Sequence, residues 1–471
     1  MEEQLGEAQR ESKRQAAPFR RKNRIPKSEH KKSGRPKDHK PSNRPRPETW
    51  GDEVEAPLGC NCPDCGLDLE DIQEHESFVV DTPPVPPPTT TRVVTWSGRC
   101  PRCKVRHRSK HPDYPSNADG AAGITLGNNV VALAALMRTQ LGAPLRKIAL
   151  FFSLVLGFSV SAAGVLNALR RLTLALAPTY QGLIAALRTC NVLHVDETGW
   201  RICSKSAWLW VFTNEHLTVY VIRYGRGKKV LIEVLGSNYS GWLITDCLAT
   251  YDSPLFPKKA KCVGHFLKSL SDLEVLHMKP KELPSEKQEK PQDGKEIPPP
   301  APSPAEAGAL HLVSAQKSTE DHGEFPRKAK SILAMAINLK HSQPQLSGEI
   351  YEGTRSVIHH LLDDLLSEEI TEPNNLRLAN RMRKHRKAML AFLDHVEVEP
   401  TNNRAERQLR PGVLQRKISA GNRSEEGAQI HATLLTVFAT AMQQGKSFLA
   451  LAGQALRNPI EPVLALPARA P

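Results

Sequence analysis

Two short apolar segments in the middle of the chain each end in a single aspartate. Residues 192–195 lead to Asp196, and residues 241–245 lead to Asp246. Apolar runs of about four to eight residues predict strands that are buried in a sheet. We therefore expect two buried strands, each of which ends at its acid.

The residues between these acids complete the prediction of the fold. Residues 207–213 and 218–223 are aromatic and β-branched around a short polar turn, which predicts a β-hairpin. Residues 228–235 predict a helix, and residues 261–266 predict either a strand or the entry to a helix. The order strand, strand, strand, helix, strand predicts an α/β fold in which helices cover a mixed sheet.

A helical region precedes the predicted sheet. Residues 128–187 are rich in alanine and leucine with helical periodicity. Within them, residues 148–169 carry no charged side chain, and a segment of this length could span a membrane. Small residues interrupt this segment: Gly157, Ser159, Ser161 and Gly164. We interpret it as two helices, the second capped by Ser159 or Ser161, and expect no membrane span. In region 128–188 the pair is either a helix-turn-helix DNA-binding unit or an ordinary helical hairpin.

A proline-rich segment interrupts the second half of the chain. Residues 280–322 are rich in Pro, Glu, Lys, Ser and Ala and contain no aromatic residue, which predicts a disordered insertion over about residues 280–325. Helical sequence resumes over residues 329–394 and again from residue 403. We assign residues 189–456 to the sheet domain and residues 457–471 to a tail.

The charge of the chain indicates a polyanionic partner. The 471 residues include 64 Lys and Arg against 50 Asp and Glu, so the net charge is +14. This balance favours nucleic acid, with an anionic membrane surface as the weaker alternative. Residues 1–50 predict a disordered basic arm that binds phosphates, with a solvated tail as the alternative.

Two cysteine pairs predict a zinc-binding module over residues 51–115. The nine cysteines are typical of a reducing compartment, where clustered thiols bind metal. Two Cys-x-x-Cys turns place four thiolates around one Zn²⁺ ion. The four predicted ligands are Cys62, Cys65, Cys100 and Cys103. Three further residues remain open as ligands: Cys60, His107 and His111.

A third acid lies in an arginine-rich segment near the C-terminus. Glu406 is expected in the first turn of a helix, where Asp196, Asp246 and Glu406 converge into one divalent-metal site. Carboxylates suit Mg²⁺, with Mn²⁺ as a substitute, and two such ions drive phosphodiester cleavage. Three neighbouring arginines are predicted to bind phosphates: Arg404, Arg407 and Arg410.

Each acid also has a structural interpretation. Asp196 and Asp246 are typical of residues that cap the turn after a strand. Asn403 followed by Glu406 resembles a helix capping box, which needs no catalysis. Glu197 faces away from Asp196 if the strand continues, so we do not assign it to the site.

Four motifs together resemble the insertion-sequence-66 transposases. They are His-Val-Asp-Glu-Thr-Gly-Trp at 194–200, Thr245-Asp246 followed by Tyr251, Cys262 with His265, and Thr-Asn-Asn-Arg-Ala-Glu-Arg at 401–407. The resemblance covers about residues 31–456 without the insertion. It departs from the family where Cys247-Leu248 follow the second acid and where Val263-Gly264 follow Cys262.

The resemblance implies an RNase H-like catalytic domain over residues 189–456. It assigns an Asp-Asp-Glu triad to Asp196, Asp246 and Glu406, with Mg²⁺ or Mn²⁺ there and Zn²⁺ in the cysteine module. It further implies cleavage at transposon ends and transfer of the 3′-hydroxyl to target DNA. The expected partners are DNA, further copies of the chain and accessory proteins, in a prokaryotic, nucleoid-associated cytoplasmic setting. The alternatives are a degenerate, non-catalytic DNA-binding protein and a general RNase H-type nuclease.

Overall fold

The computed structural model describes residues 124–277 and 322–464 and most of residues 46–111. The backbone divides into two compact units, residues 1–89 with 155–157, and residues 90–154 with 158–471. Nearly all of the predicted basic arm and residues 278–321 of the predicted insertion lie outside the described residues. The interpretations of those two segments stay predictions.

Among the described residues, four helices precede the large sheet, as the alanine- and leucine-rich sequence predicts. Their bounds are α1 (Asn128–Thr139), α2 (Leu145–Val155), α3 (Ala162–Ala175) and α4 (Ala177–Leu187). Gly157 has a φ of +74°, which glycine adopts without strain, and Ser161 accepts a hydrogen bond from the Gly164 N–H at 3.0 Å. The uncharged segment is therefore two helices joined by a turn. Among the described residues, no helix is long and apolar enough to cross a membrane.

The predicted mixed sheet is confirmed. A two-stranded ribbon, β1 (Ser97–Arg99) and β2 (Arg106–Arg108), lies near the start of the larger unit. The large sheet comprises β3 (Val192–Ile202), β4 (Lys205–Thr213), β5 (Thr218–Arg223), β6 (Trp242–Thr245) and β7 (Lys259–Lys261). Its order is β5-β4-β3-β6-β7, and β4 runs antiparallel to β3 and β5 whereas β3, β6 and β7 are parallel.

The first strand is longer than the sequence indicated, so the expectation that Asp196 ends it is wrong. β3 continues to Ile202 because it pairs with β4 along its length, from His194 opposite Thr213 to Ile202 opposite Lys205. The two residues between the strands, Cys203 and Ser204, both have positive φ, at 47° and 64°. A two-residue hairpin turn needs this conformation, which usually selects Asn-Gly.

Eight more helices occur in the part of the chain after β5 that the structure describes. They are α5 (Lys228–Leu235), α6 (Val263–His277), α7 (Glu324–Ser342), α8 (Gly348–Ser367), α9 (Pro373–Asp394), α10 (Asn403–Ser419), α11 (Glu425–Gln443) and α12 (Phe448–Arg457). One apolar core joins β6 and β7 to α6, α7, α8 and α9. A second joins β3, β4 and β5 to α10 and α11. The helix predicted from Ala329 begins earlier, at Glu324.

Two contacts fix α10 and α11 against the sheet. A Cβ atom on Gly412 of α10 would lie 2.3 Å from the Leu209 side chain of β4, so only glycine permits this approach. On α11, the hydroxyls of Thr436 and Thr440 accept hydrogen bonds from the Tyr220 and Thr218 N–H groups, at 2.9 and 3.1 Å. These N–H groups belong to the edge strand β5, so α11 covers an edge that would otherwise be open.

Candidate active site

The first two acids lie level on adjacent strands. β3 and β6 pair in parallel, with Val192 opposite Trp242 and His194 opposite Ile244. Two residues further along, this register sets Asp196 beside Asp246, which directly follows β6. Residues that lie side by side on adjacent strands point to the same face of the sheet. Both carboxylates therefore emerge on the same face.

The third acid joins them from α10. This helix begins at Asn403, and the Glu406 N–H donates to the Asn402 carbonyl at 3.1 Å in its first turn. Glu406 and Asp246 both raise the pKa of Asp196 by charge repulsion. The structure therefore brings the three predicted acids into one electrostatic group, and all three side chains are half-buried.

Buried hydrogen bonds hold the backbone next to each acid. The Nδ2 atom of Asn402 donates to the carbonyl of Val195, just before the first acid, at 2.9 Å. The Asn402 backbone N–H donates to Sγ of Cys262 at 3.1 Å. The Cys262 N–H in turn donates to the carbonyl of Thr245, just before the second acid, at 2.8 Å. Asn402 and Cys262 thus connect β3, β6 and α10, and the sequence did not indicate this role for either residue.

Asp196 is poorly stabilised as an anion. Burial raises its pKa well above the ordinary value of 3.8, and repulsion from Glu197, Asp246 and Glu406 raises it further. One oxygen, Oδ1, accepts a hydrogen bond from the Glu197 N–H at 2.9 Å, which partly opposes the rise. A carboxylate that is buried among other carboxylates is a favourable ligand for a cation, because the cation relieves the repulsion.

Asp246 has the turn-capping contact that the structural interpretation predicted. Its Oδ1 atom accepts a hydrogen bond from the Leu248 N–H at 2.9 Å. Its carbonyl accepts one from Nζ of Lys261 at 2.9 Å, and the charge of this buried lysine is matched by Asp252 at 3.0 Å. The capping contact occupies one carboxylate oxygen and orients the group, so it is compatible with a ligand role for the other oxygen.

The capping-box interpretation of Glu406 is wrong. Because α10 begins at Asn403, the cap residue is Asn402, and Glu406 lies one position beyond the place that a capping box requires. The Asn402 side chain makes no cap hydrogen bond because it is bound to β3 instead.

The three predicted phosphate-binding arginines have different surroundings. Arg404 is half-buried and donates to Oε1 of Glu399 at 2.8 Å, so its charge is already matched. Arg407 and Arg410 are exposed on α10.

His194 lies behind the acids in an uncharged form. It is buried, with Nδ1 3.2 Å from Oδ1 of Asn402 and Nε2 3.6 Å from Glu399. Burial lowers its pKa to about 4, and the positive charges of Arg404 and Arg407 lower it as well, although Glu399 opposes them. The imidazole is therefore neutral at pH 7 and serves as a hydrogen-bonding partner in the support of the site.

Glu197 is enclosed by its own partners. Arg226 donates to its Oε1 atom at 2.9 Å, and the Tyr251 hydroxyl also donates to the carboxylate. The guanidinium of Arg226 lies over the ring of Trp208, 4.3 Å from its centroid. Burial raises the pKa of Glu197, whereas the bonds from Tyr251 and Arg226 lower it. These contacts support the decision to leave Glu197 out of the metal site.

A second set of possible ligands adjoins Glu406. One ligand atom from each of Cys262, His265 and Glu406 lies within 4.8 Å of the other two, and these three residues form the one such group found among the described residues. Cys262 and His265 belong to one of the family motifs, and His265 was expected to be either a metal or DNA neighbour or a structural histidine. Their separation of three residues at the start of α6 was the available indication.

The two cysteine turns have the same backbone geometry, each within its own unit. In the first, Cys62 donates to the Leu67 carbonyl at 2.7 Å and accepts from the Gly66 N–H at 2.9 Å. In the second, Cys100 makes the equivalent bonds with Val105 at 2.8 Å and Lys104 at 2.9 Å. Gly66 and Lys104 both have positive φ. Backbone N–H groups lower the pKa of the Cys62 and Cys100 thiols. Cys60 lies outside the described residues, and His107 is exposed on β2.

Comparison with known proteins gives a family. The model of the Transposase IS66 family matches residues 123–290 and 329–430, which is more than half of the chain. The match contains all three acids, Cys262 and His265, and the start of α10. No curated protein matches the chain. The four motifs, the mixed sheet and this match agree, and the chain belongs to the IS66 family of transposases.

Proposed function

We propose that this transposase cleaves DNA strands at the ends of its element and joins the freed 3′-hydroxyls to target DNA. The reaction centre is formed by Asp196, Asp246 and Glu406. The observation that carries the proposal is the register between β3 and β6, which sets two acids level on one face of the sheet, with a third acid electrostatically coupled to them.

The arrangement of strands supports an RNase H-like fold for this domain. Three consecutive strands form an antiparallel meander, and two further parallel strands lie beside the first, in the order β5-β4-β3-β6-β7. Such a mixed sheet agrees with the RNase H-like domain that the resemblance to the family implies. The first and fourth strands lie next to each other at its centre, so acids on them meet without any loop rearrangement.

The three carboxylates fit a hard divalent cation. Asp196 has its pKa raised by the other two acids, and Mg²⁺ prefers oxygen ligands of this kind. When bound, two Mg²⁺ ions activate the attacking water or 3′-hydroxyl and stabilise the leaving oxygen. Asp196, Asp246 and Glu406 would hold these ions as carboxylate ligands. In strand transfer, the 3′-hydroxyl forms a new phosphorus–oxygen bond, its proton leaves to solvent, and a target 3′-hydroxyl is released.

The basic residues around the site are the expected contacts for DNA. Arg407 and Arg410 are exposed on the same helix as Glu406, so they lie within a few turns of the acid. Arg404 is bound to Glu399 and contributes through that pair. The net charge of +14 and the basic arm over residues 1–50 supply further phosphate contacts, whose strength falls with salt.

The cysteine turns are proposed to hold Zn²⁺. The matching hydrogen bonds around Cys62 and Cys100 and their lowered pKa values are what a thiolate ligand requires. Cys65 and Cys103 are the other two ligands that the sequence pattern predicts. The bound ion would stabilise the module that follows the basic arm.

The test is strand cleavage and joining of labelled DNA that carries the sequences flanking the coding region, with Mg²⁺ or Mn²⁺. Three variants remove one acid each: Asp196→Asn, Asp246→Asn and Glu406→Gln. The matched control is Asp272→Asn, which removes an exposed acid from α6. We expect metal-dependent cuts at discrete ends and a joined product from the wild type and the control, and neither from the three variants.

Other outcomes assign other functions. Cuts without end specificity and without joining indicate a general RNase H-type nuclease. Salt-sensitive DNA binding with no cleavage by the wild type indicates a degenerate, non-catalytic DNA-binding copy. Cleavage that survives in Asp196→Asn contradicts the proposed site.

A further inference from the structure

A cysteine, a histidine and an acid meet where two helices begin. Cys262 directly precedes α6, His265 lies in its first turn, and Glu406 lies in the first turn of α10. Their ligand atoms lie within 4.8 Å of one another, and Nδ1 of His265 is 3.9 Å from Oε1 of Glu406. Ligand atoms around tetrahedral zinc are about 3.3–3.8 Å apart, since the bonds are about 2.0–2.3 Å long. The remaining gap is within reach of small side-chain rotations.

The Nδ1 atom of His265 is buried and has no hydrogen-bond partner among the described residues, although 40% of the side chain is exposed. Buried polar atoms are almost always hydrogen-bonded or bound to water or an ion. The nearest carboxylate oxygen, on Glu406, is too distant for a hydrogen bond. A ligand shared by His265 and Glu406 accounts for this atom.

The sulfur of Cys262 is held in place beside them. The residue is 1% exposed, and its Sγ atom accepts a hydrogen bond from the Asn402 N–H at 3.1 Å. The backbone at Val263 is also tied to the approach to α10, because its N–H donates to the Pro400 carbonyl at 2.9 Å. The sulfur donor is therefore rigid with respect to the helix that carries Glu406.

We propose that Cys262, His265 and Glu406 bind one divalent cation of the zinc class, separate from the Mg²⁺ expected between the acids. Thiolate sulfur and imidazole nitrogen favour Zn²⁺, whereas Mg²⁺ prefers oxygen. The three residues leave one coordination position for water, and binding releases the thiol proton to solvent.

The bound cation has a positional role. Glu406 has two carboxylate oxygens, so one can bind this cation while the other faces Asp196 and Asp246. The cation would then fix Glu406 against the acid pair. This role rests on the proposed function, whereas the binding of the cation does not.

The experiment measures zinc per chain. Full-length protein is loaded with Zn²⁺, freed of excess metal by gel filtration and assayed by mass spectrometry. His265→Ala is compared with His360→Ala, which alters an exposed histidine on α8, and Cys262→Ser with Cys203→Ser, which alters an exposed cysteine. Any zinc bound by the cysteine turns is expected to be the same in all samples, because no variant alters these turns. We expect one equivalent of zinc less in His265→Ala and Cys262→Ser, and no change in the controls.

His265→Ala decides the result even if Cys262→Ser fails to fold, because the His265 side chain is partly exposed. Zinc content equal to the wild type in folded His265→Ala overturns the inference. Loss in His265→Ala with retention in folded Cys262→Ser overturns the proposed ligand set. The assay contains no DNA, so a chain that loses zinc as expected but never cleaves contradicts only the proposed function.

Discussion

Asp196 and Glu197 are neighbours on β3, yet the two faces of the strand treat their charges in opposite ways. On one face, the charges near Asp196 that raise its pKa are those of other acids. On the other, Glu197 is enclosed by Arg226 and Tyr251, which bind its carboxylate directly. The negative charge of Asp196 is therefore available to an external cation, whereas the negative charge of Glu197 is already neutralised by neighbouring side chains. Both acids are buried enough to have raised pKa values, so a raised pKa alone would not distinguish them.

The largest expected effect is on strand cleavage. Asp196→Asn should reduce the rate by roughly a thousandfold or more, since a metal ligand contributes several kcal/mol to the transition state. Glu197→Gln makes the same chemical change one residue away and should leave the rate within about tenfold. Single-turnover cleavage of labelled ends measures both. Equal losses in the two variants would show that the faces of β3 do not differ in function.

The next effect is on stability. Glu197→Ala leaves Arg226 without its buried partner and should lower the free energy of unfolding by roughly 3 kcal/mol. Glu233→Ala removes the partner of Arg223 from a more exposed pair, where about 1 kcal/mol or less is expected. Urea unfolding measures both changes. If the two variants lose similar stability, Glu197 does not have the structural role assigned here.

A smaller loss of stability is expected on substitution of Asn402, whose hydrogen bonds connect the start of α10 to β3 and to Cys262. Asn402→Ala leaves the Val195 carbonyl buried without its donor and should cost about 2 kcal/mol of stability. It should also slow cleavage, because the backbone beside Asp196 loses its link to the helix of Glu406. Asn422→Ala is a control, since the Nδ2 atom of Asn422 also donates to a backbone carbonyl, that of Gly427 at 2.9 Å, but away from the acids. Cleavage slowed equally by both variants would argue against a positioning role for Asn402.

The smallest effect has the opposite sign. Without metal, Asp196→Asn should stabilise the protein at neutral pH, by on the order of 1 kcal/mol, because the variant has no buried carboxylate to ionise among the other acids. Below pH 3.8 the acid is protonated in both folded and unfolded chains, so the variant gains nothing. As the pH rises, the unfolded chain ionises first, and the wild type loses stability until the folded pKa is passed. Thermal unfolding in a chelator at several pH values should show a difference that grows with pH. A difference in thermal stability that does not change with pH would mean that folding does not raise the pKa of Asp196.

The sequence predicted the elements of the sheet better than the contacts between them. Apolar and β-branched runs located β4, β5 and β6, because side-chain alternation is a local property. The continuation of β3 was missed because its turn uses Cys203 and Ser204 at positive φ, where the usual Asn-Gly pattern is lacking. The end of the hairpin therefore had no recognisable residue pattern.

For the candidate site, too, the sequence predicted the residues better than the contacts that hold them in place. The three acids were found from strand ends and a helix start, together with the family motifs. The links through Asn402 depend on residues that lie 207 and 140 positions apart in the chain, and one sequence contains no trace of such contacts. The sequence predicted Asn403 as the cap of α10, one residue too late. The actual cap residue, Asn402, makes no side-chain cap hydrogen bond because its side chain is bound to β3.

The threonines of α11 have a consequence for assembly. By binding N–H groups of Thr218 and Tyr220, Thr436 and Thr440 take the place that a sixth strand would occupy beside β5. A second protein chain cannot add a strand at this edge without first displacing the helix. An assembly of several copies of the chain would therefore have to use surfaces other than this edge of the sheet.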